Sequence, residues 1–254
     1  MLKTGLVSVS FRNESPKTII SATSRAGLSG IEWGGDIHVP PTDLNNARHI
    51  NRMTTDEGLL IHAYGSYYRL GSHSPPYDEF KRTIETACEL EAPTIRIWAG
   101  ATGSVETLPK LRTSMTEEAQ LLGELAEGYG INIALECHND TLTDDWRASL
   151  DFIKTVNHPR IKMYWQPNQK HDKTYNLQAA TELANHTVNV HVFHWDTQKR
   201  YPLASGSDIW LKYIDIFKKT GQEHVFMLEF MHDNRLETLQ STAETLLSWV
   251  ELTS

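Results

Sequence analysis

The sequence predicts a single α/β domain over residues 1–254, a barrel of eight parallel strands each followed by a helix, (β/α)8. Three observations lead there. Short apolar runs rich in Val, Ile and Leu alternate eight times with longer segments of helical spacing. The length of 254 residues is ordinary for eight such units in one domain. The first apolar run is followed by SFRNESP, which holds no glycine. A doubly wound open sheet would want a Gly-rich phosphate turn there.

The strands are expected at Gly5–Phe11, Gly30–Trp33, Leu59–Ala63, Thr94–Trp98, Ile131–Glu136, Ile161–Trp165, Val188–Phe193 and His224–Glu229. The helices are expected at Pro16–Ala26, Thr42–Arg52, Tyr77–Glu91, Thr116–Tyr129, Asp145–Val156, Tyr175–Asn185, Asp208–Thr220 and Arg235–Leu252. Ser15 before Pro16 is an N-cap followed by a proline suited to the first helical position. Thr116–Glu118 places acids in a first turn, and Gly130 and Gly221 read as C-terminal caps.

Composition narrows the function. Lys plus Arg number 24 against 32 Asp plus Glu, a net charge of −8. Phosphate contacts need clustered cations, so no nucleic-acid partner is expected. No apolar run approaches the roughly 18 residues of a membrane span, and the short N-terminal run makes no signal segment, so no membrane partner is expected. Two cysteines, Cys88 and Cys137, make no disulfide framework, and a cytoplasmic protein is expected. Many barrels associate through their helices, so a homo-oligomer stays open.

Chemistry in such a barrel sits where the strands end. The last four strands end in Glu136, Gln166, His191 and Glu229. Adjacent strands lie about 4.8 Å apart, so four consecutive strand ends can converge. Two carboxylates, an imidazole and an amide oxygen suit one divalent ion, Mn²⁺, Mg²⁺, Co²⁺ or Zn²⁺. Alternation supports the inward direction. Asn132, Ala134 and Glu136 share one face of strand five, opposite Ile131, Ile133 and Leu135. In strand seven Asn189 and His191 face in, and Val188, Val190 and Val192 face out. His194 has the opposite parity and reaches the site only beyond the strand. Each of these residues alone is commonly a solvated strand end or a core histidine; their joint occurrence on neighbouring strands makes the site. Aromatic side chains crowd the same rim: Phe11, Trp33, Tyr64, Trp98, Trp165 and Trp195. The expected substrate contacts are Glu32, Trp33, Tyr64, Arg96, Trp98 and His194, around a small sugar-like molecule. A lone strand arginine such as Arg96 serves as often in a structural ion pair.

The chain resembles the xylose isomerase-like superfamily of sugar phosphate isomerases and epimerases, which are TIM barrels. The resemblance runs along the whole chain in order: SFR, GIEWGGDIH, RIWAGATGS, LECHNDTLTD, HVFHW and LEFMHDN. The RIWAGATGS and LECHNDTLTD stretches are nearest to the 3-dehydroshikimate dehydratase branch. The resemblance implies metal ligands at Glu136, His191 and Glu229, with those glutamates also serving as acid and base. It places an Asp where this chain has Gln166. The ligands then carry −2 rather than −3, so weaker metal affinity and a stronger Lewis acid are expected. It also implies proton transfer at His138 and an anionic substrate end near Arg96. The expected activity is metal-dependent isomerisation or epimerisation of a sugar, sugar phosphate or related hydroxy-ketone, by proton abstraction next to a carbonyl. The alternatives are dehydration of 3-dehydroshikimate or an inosose by the same site, and a sugar-binding barrel without catalysis. Abasic-site endonucleases share the superfamily, and the twelve histidines suit their metal sites, but the acidic balance opposes DNA binding.

Overall fold

The computed structural model describes residues 2–72 and 76–252. Eight strands pair in chain order, all parallel, and close into a barrel. They are β1 (Leu2–Val7), β2 (Gly30–Gly34), β3 (Leu60–Arg69), β4 (Thr94–Trp98), β5 (Asn132–Glu136), β6 (Ile161–Trp165), β7 (Thr187–Val192) and β8 (His224–Leu228). The helices between and after them are α1 (Pro16–Arg25), α2 (Leu44–Asp56), α3 (Pro76–Glu89), α4 (Pro109–Tyr129), α5 (Trp146–Val156), α6 (Lys173–Leu183), α7 (Ser207–Lys219) and α8 (Leu239–Leu252).

Local chemistry sets most boundaries. Ser15 Oγ accepts from Thr18 N ahead of Pro16, capping α1 as expected. Asp43, Asp145 and Asp172 cap α2, α5 and α6 in the same way. Gly130 and Gly221, at φ 72° and 71°, follow α4 and α7 in the left-handed conformation that leaves a helix cheaply. Several boundaries differ from expectation, three of them for reasons visible in the local chemistry. β1 stops at Val7, and Ser8–Phe11 is a 3-10 turn. There the Ser8 and Ser10 hydroxyls accept the amides of Gly34 and Phe230, so the chain leaves the ladder. α4 starts at Pro109, not Thr116, because proline suits a first helical position and Met115, Ala119, Leu122 and Ala126 sustain the buried stripe. β3 runs on to Arg69, which pairs with Trp98.

Strand alternation makes two cores. Leu6, Ile31, Ile95, Ile133, Val190 and Phe226 pack outward under the helices. Val7, Ala63, Ala134, Tyr164 and Met227 fill the barrel. The pairing slips between Ile31 and Glu32 against β3, and again between Met163 and Tyr164 against β7. At the second slip Val188 is the extra residue and packs on the inner cluster, not outward as its parity predicted. Above the slip Asn189 and His191 face in, as expected. No described helix is long and apolar enough to cross a membrane.

Candidate active site

The inward positions of five strands and the residue after β8 converge near the C-terminal end of the barrel. β5 brings Glu136, β6 brings Tyr164 with Gln166 just beyond it, and β7 brings His191. Glu229 follows β8, β2 brings Glu32 and β4 brings Arg96. All of these are buried.

Arg96 is the bracket. Its Nε donates to Glu32 Oε1 at 3.0 Å and its Nη1 to Glu136 Oε2 at 2.5 Å. Trp98 Nε1 donates to the same Glu136 oxygen at 2.6 Å. Tyr164 OH donates to Glu32 Oε2 at 2.5 Å. Glu136 is thus held by one oxygen, and Oε1 faces His191 Nδ1 at 3.6 Å. Glu229 Oε2 lies 3.7 Å from the same Nδ1. Gln166 is clamped: Nε2 donates to Cys137 O at 3.0 Å, which turns Oε1 towards His191 Nδ1, also at 3.0 Å. On its other side His191 Nε2 has no hydrogen bond and lies 3.7 Å from Glu32 Oε2.

The charges follow from this packing. Burial alone would raise the pKa of Glu32 and Glu136, yet Arg96 and His191 hold both carboxylates below their usual range. Glu229 goes the other way: burial, with Glu136 and Glu32 nearby, raises it despite His191 and Arg96. Burial would lower the His191 pKa, but the surrounding carboxylates, Glu229 foremost, push it up to about 10.

One ligand atom from each of Glu136, His191 and Glu229 lies within 4.8 Å of the others. Ligand atoms about 2.1 Å from one ion sit roughly 3.0–3.4 Å apart. The spacings of 3.0–3.7 Å around His191 Nδ1 fit that arrangement with modest tightening. An ion on Nδ1 needs the imidazole proton on Nε2, where Glu32 is the facing acceptor. The donor set therefore fits a divalent metal, with Gln166 as a neutral oxygen ligand.

A cleft of about 480 Å³ opens onto this floor; Glu136, Gln166, Glu229 and His138 line it. His138 Nδ1 donates to Asn139 O at 2.7 Å, and its ring lies 5.4 Å from Trp98. Other expected contacts are placed elsewhere. Trp33 faces outward under the helices, with Nε1 on Thr54. Tyr64 is buried outside the barrel wall with its hydroxyl on Val39 O. Both sit one residue out of phase with the inward face. Glu32 is 0% and Arg96 3% exposed, sealed against each other, so neither offers a group to the cleft. His194 lies beyond β7 on Ser205 and lines a neighbouring hollow with Tyr201. Phe11 and Trp165 are core; of the expected aromatic rim, Trp98 stands beside His138 and Trp195 lines the cleft. Sequence reasoning missed Tyr164, whose parity matches Gln166, and Lys170 and Arg200, which lie on loops without periodicity. It also missed Gly65: a Cβ there would meet Glu32 Oε1 at 2.5 Å and Arg96 Nη2 at 2.9 Å, so glycine admits the buried pair.

Comparison with known proteins follows the same line. A curated 3-dehydroshikimate dehydratase of Bacillus anthracis is 26% identical over 175 residues, which cover 64% of this chain and 60% of that one. The match thus spans less than two thirds of that relative's length. The solved structure of the probable 3-DHS dehydratase AsbF of Bacillus anthracis superposes with a TM-score of 0.81 at 19% identity, covering 97% of this chain and 99% of that one. D-psicose 3-epimerase of Clostridium cellulolyticum H10, solved with D-tagatose, gives 0.74 at 14% identity, covering 99% of each chain. A barrel protein of Mycobacterium smegmatis, solved with magnesium, gives 0.74 at 16%, covering 99% of this chain and 98% of that one. At these identities the structures share the fold. The family model described as Xylose isomerase-like TIM barrel matches residues 20–251, and this chain belongs to that family.

Proposed function

We propose that the chain is a metal-dependent isomerase or epimerase of a sugar-like hydroxy-ketone, working by proton abstraction next to the carbonyl. The observation that carries this is the unequal pair of glutamates flanking His191 at the cleft floor. Glu136 Oε2 already accepts from Arg96 and Trp98. Glu229 accepts no hydrogen bond from a described side chain, so its carboxylate is the freer base. A divalent ion held by Glu136, Gln166, His191 and Glu229 supplies Lewis-acid polarisation of the carbonyl and stabilises the charge that develops there.

Glu229 takes the proton of the carbon next to the carbonyl, and the C–H electron pair stays with the substrate as an enediolate. A proton given by water to the opposite face inverts that carbon, and Glu229 releases its own proton to solvent; return from Glu229 to the neighbouring carbon moves the carbonyl, with the hydroxyl proton passing between the two oxygens. Arg96 and Trp98 keep Glu136 ionised and in place throughout. A second reading is dehydration, favoured by His138 on the same cleft. Protonated His138 would give its proton to a hydroxyl β to the carbonyl, which leaves as water while the C=C bond forms. The curated dehydratase relative supports this reading, and the epimerase neighbour supports the first.

The test is metal content and isotope exchange. The wild type is expected to carry about one divalent ion per chain, lost in Glu136→Gln and Glu229→Gln. In D₂O the loaded protein should exchange the α-proton of D-tagatose or 3-dehydroshikimate. Exchange without water loss supports the first reading and water loss the second. No metal uptake and no exchange would leave a sugar-binding barrel and overturn both.

A further inference from the structure

Arg96, the inward arginine of the strands, cannot reach an anion: it is 3% exposed and held by Glu32 on one side and Glu136 on the other. The cleft holds another guanidinium. Arg200 packs over two neighbouring aromatic rings, 4.9 Å from the Trp195 centroid and 4.6 Å from that of Phe230. It donates to Asn234 Oδ1, and a lone antiparallel bridge between Trp195 and Arg200 fixes its backbone. No described carboxylate makes an ion pair with it. Most of its fork of donors is therefore oriented but uncommitted. Lys170 lines the same cleft, and among the described residues its ammonium reaches only the exposed Asp140, at 3.4 Å.

The backbone around these two cations is strained. Six described non-glycine residues have positive φ, and three of them hold Arg200 or Lys170: Phe230 at 50°, Asn234 at 56° and Asp140 at 61°. Asn and Asp tolerate this conformation, but in phenylalanine the Cβ crowds the backbone carbonyl there. Phe230 directly follows Glu229, and its amide is tied to Ser10 Oγ at 2.8 Å. The turn that ends the metal floor thus also sets the ring under Arg200. Strain of this kind persists where a site is held in one geometry.

We propose that Arg200, with Lys170 on the same cleft, binds the anionic end of the substrate, so that the site selects a hydroxy-ketone bearing a carboxylate or a phosphate over a neutral sugar. This rests on the reading of the cleft as a hydroxy-ketone site. A guanidinium fork fits either anion with two parallel hydrogen bonds. The rival role for Arg200 is to balance the acidic floor, and that role would show in metal affinity instead.

The experiment is calorimetric titration of the full chain loaded with Mn²⁺, using 3-dehydroshikimate, inorganic phosphate and D-tagatose, in wild type, Arg200→Lys and Arg200→Gln. At least one anion should bind the wild type more tightly than D-tagatose. Its affinity should fall about tenfold or more in Arg200→Gln, with Arg200→Lys between, and should weaken with added salt. Which anion responds tells carboxylate from phosphate. Unchanged anion binding in Arg200→Gln overturns the proposal, as does an equal loss for D-tagatose. So does a fall in Mn²⁺ affinity that accounts for the whole effect. Arg200-dependent anion binding without isotope exchange would keep the anion site and sink the isomerase reading, so the two fail separately.

Discussion

Replacing Glu32 by Gln removes one charge from beneath the site and keeps the shape. Glu32 is fully buried, touches Arg96 and Tyr164, and faces His191 Nε2. Two unit charges about 4 Å apart in a medium of effective dielectric 20 attract by about 4 kcal/mol. Breaking a buried pair by neutralising one partner costs about 3–5 kcal/mol, since Arg96 stays buried with a single carboxylate. For a chain of this size that is a fall in Tm of about 10 °C. The assay is guanidinium denaturation of the metal-free protein, where the midpoint should drop with little change in slope. Mn²⁺ affinity should also fall about 10–100-fold, although Glu32 is no ligand, because His191 loses the acceptor facing its Nε2 proton. A stability loss below about 1 kcal/mol with unchanged Mn²⁺ affinity would refute the reasoning: Glu32 would then be neither counter-ion nor positioning group.

Gly65→Ala should destabilise by about 1–3 kcal/mol, since its Cβ would press on Glu32 and Arg96, both tied down beyond it. In the double variant with Glu32→Gln the losses should be less than additive; additivity would place the strain elsewhere. His62 and His224 are buried and held neutral, burial lowering each to about 4 from an unfolded value near 6.5. The unfolded chain binds the extra protons first, so stability is full above the unfolded value and falls as pH drops from 6.5 towards 4. The loss between pH 6.5 and 5.5 should be about 1 kcal/mol for each histidine. Urea unfolding at the two pH values checks it; a dependence that survives in the His62→Asn/His224→Asn double variant would assign it to other groups.

Much of the barrel was legible because periodicity reports burial on two sides. Ile133 and Leu135 against Ala134 and Glu136 is a pattern that only an inward and an outward face produce. The same rule found Glu136 and His191. It also carried enough information to exclude Trp33 and Tyr64, which occupy the outward phase, but strand-end aromatics drew them onto the rim. The partnership of Glu32 with Arg96 was hidden for another reason. The two lie 64 residues apart, and nothing local tells a carboxylate that faces a ligand from one that faces an arginine. Arg200 was beyond any periodic argument, since a loop cation acquires its setting only from Trp195, Phe230 and Asn234 after folding.

The slip between β6 and β7 bears on how this scaffold could be re-engineered. Because Val188 is an extra residue, the storey below it and the storey above it keep independent phase. A straightened strand that kept Val188 and paired residue for residue with β6 would set Val188 opposite Tyr164 and shift everything after it by one position. His191 would then point into the helical shell and Val190 or Val192 into the chamber. A graft of these ligands onto an idealised barrel must therefore carry the irregularity along with the side chains, because the bend belongs to the site as much as the imidazole does.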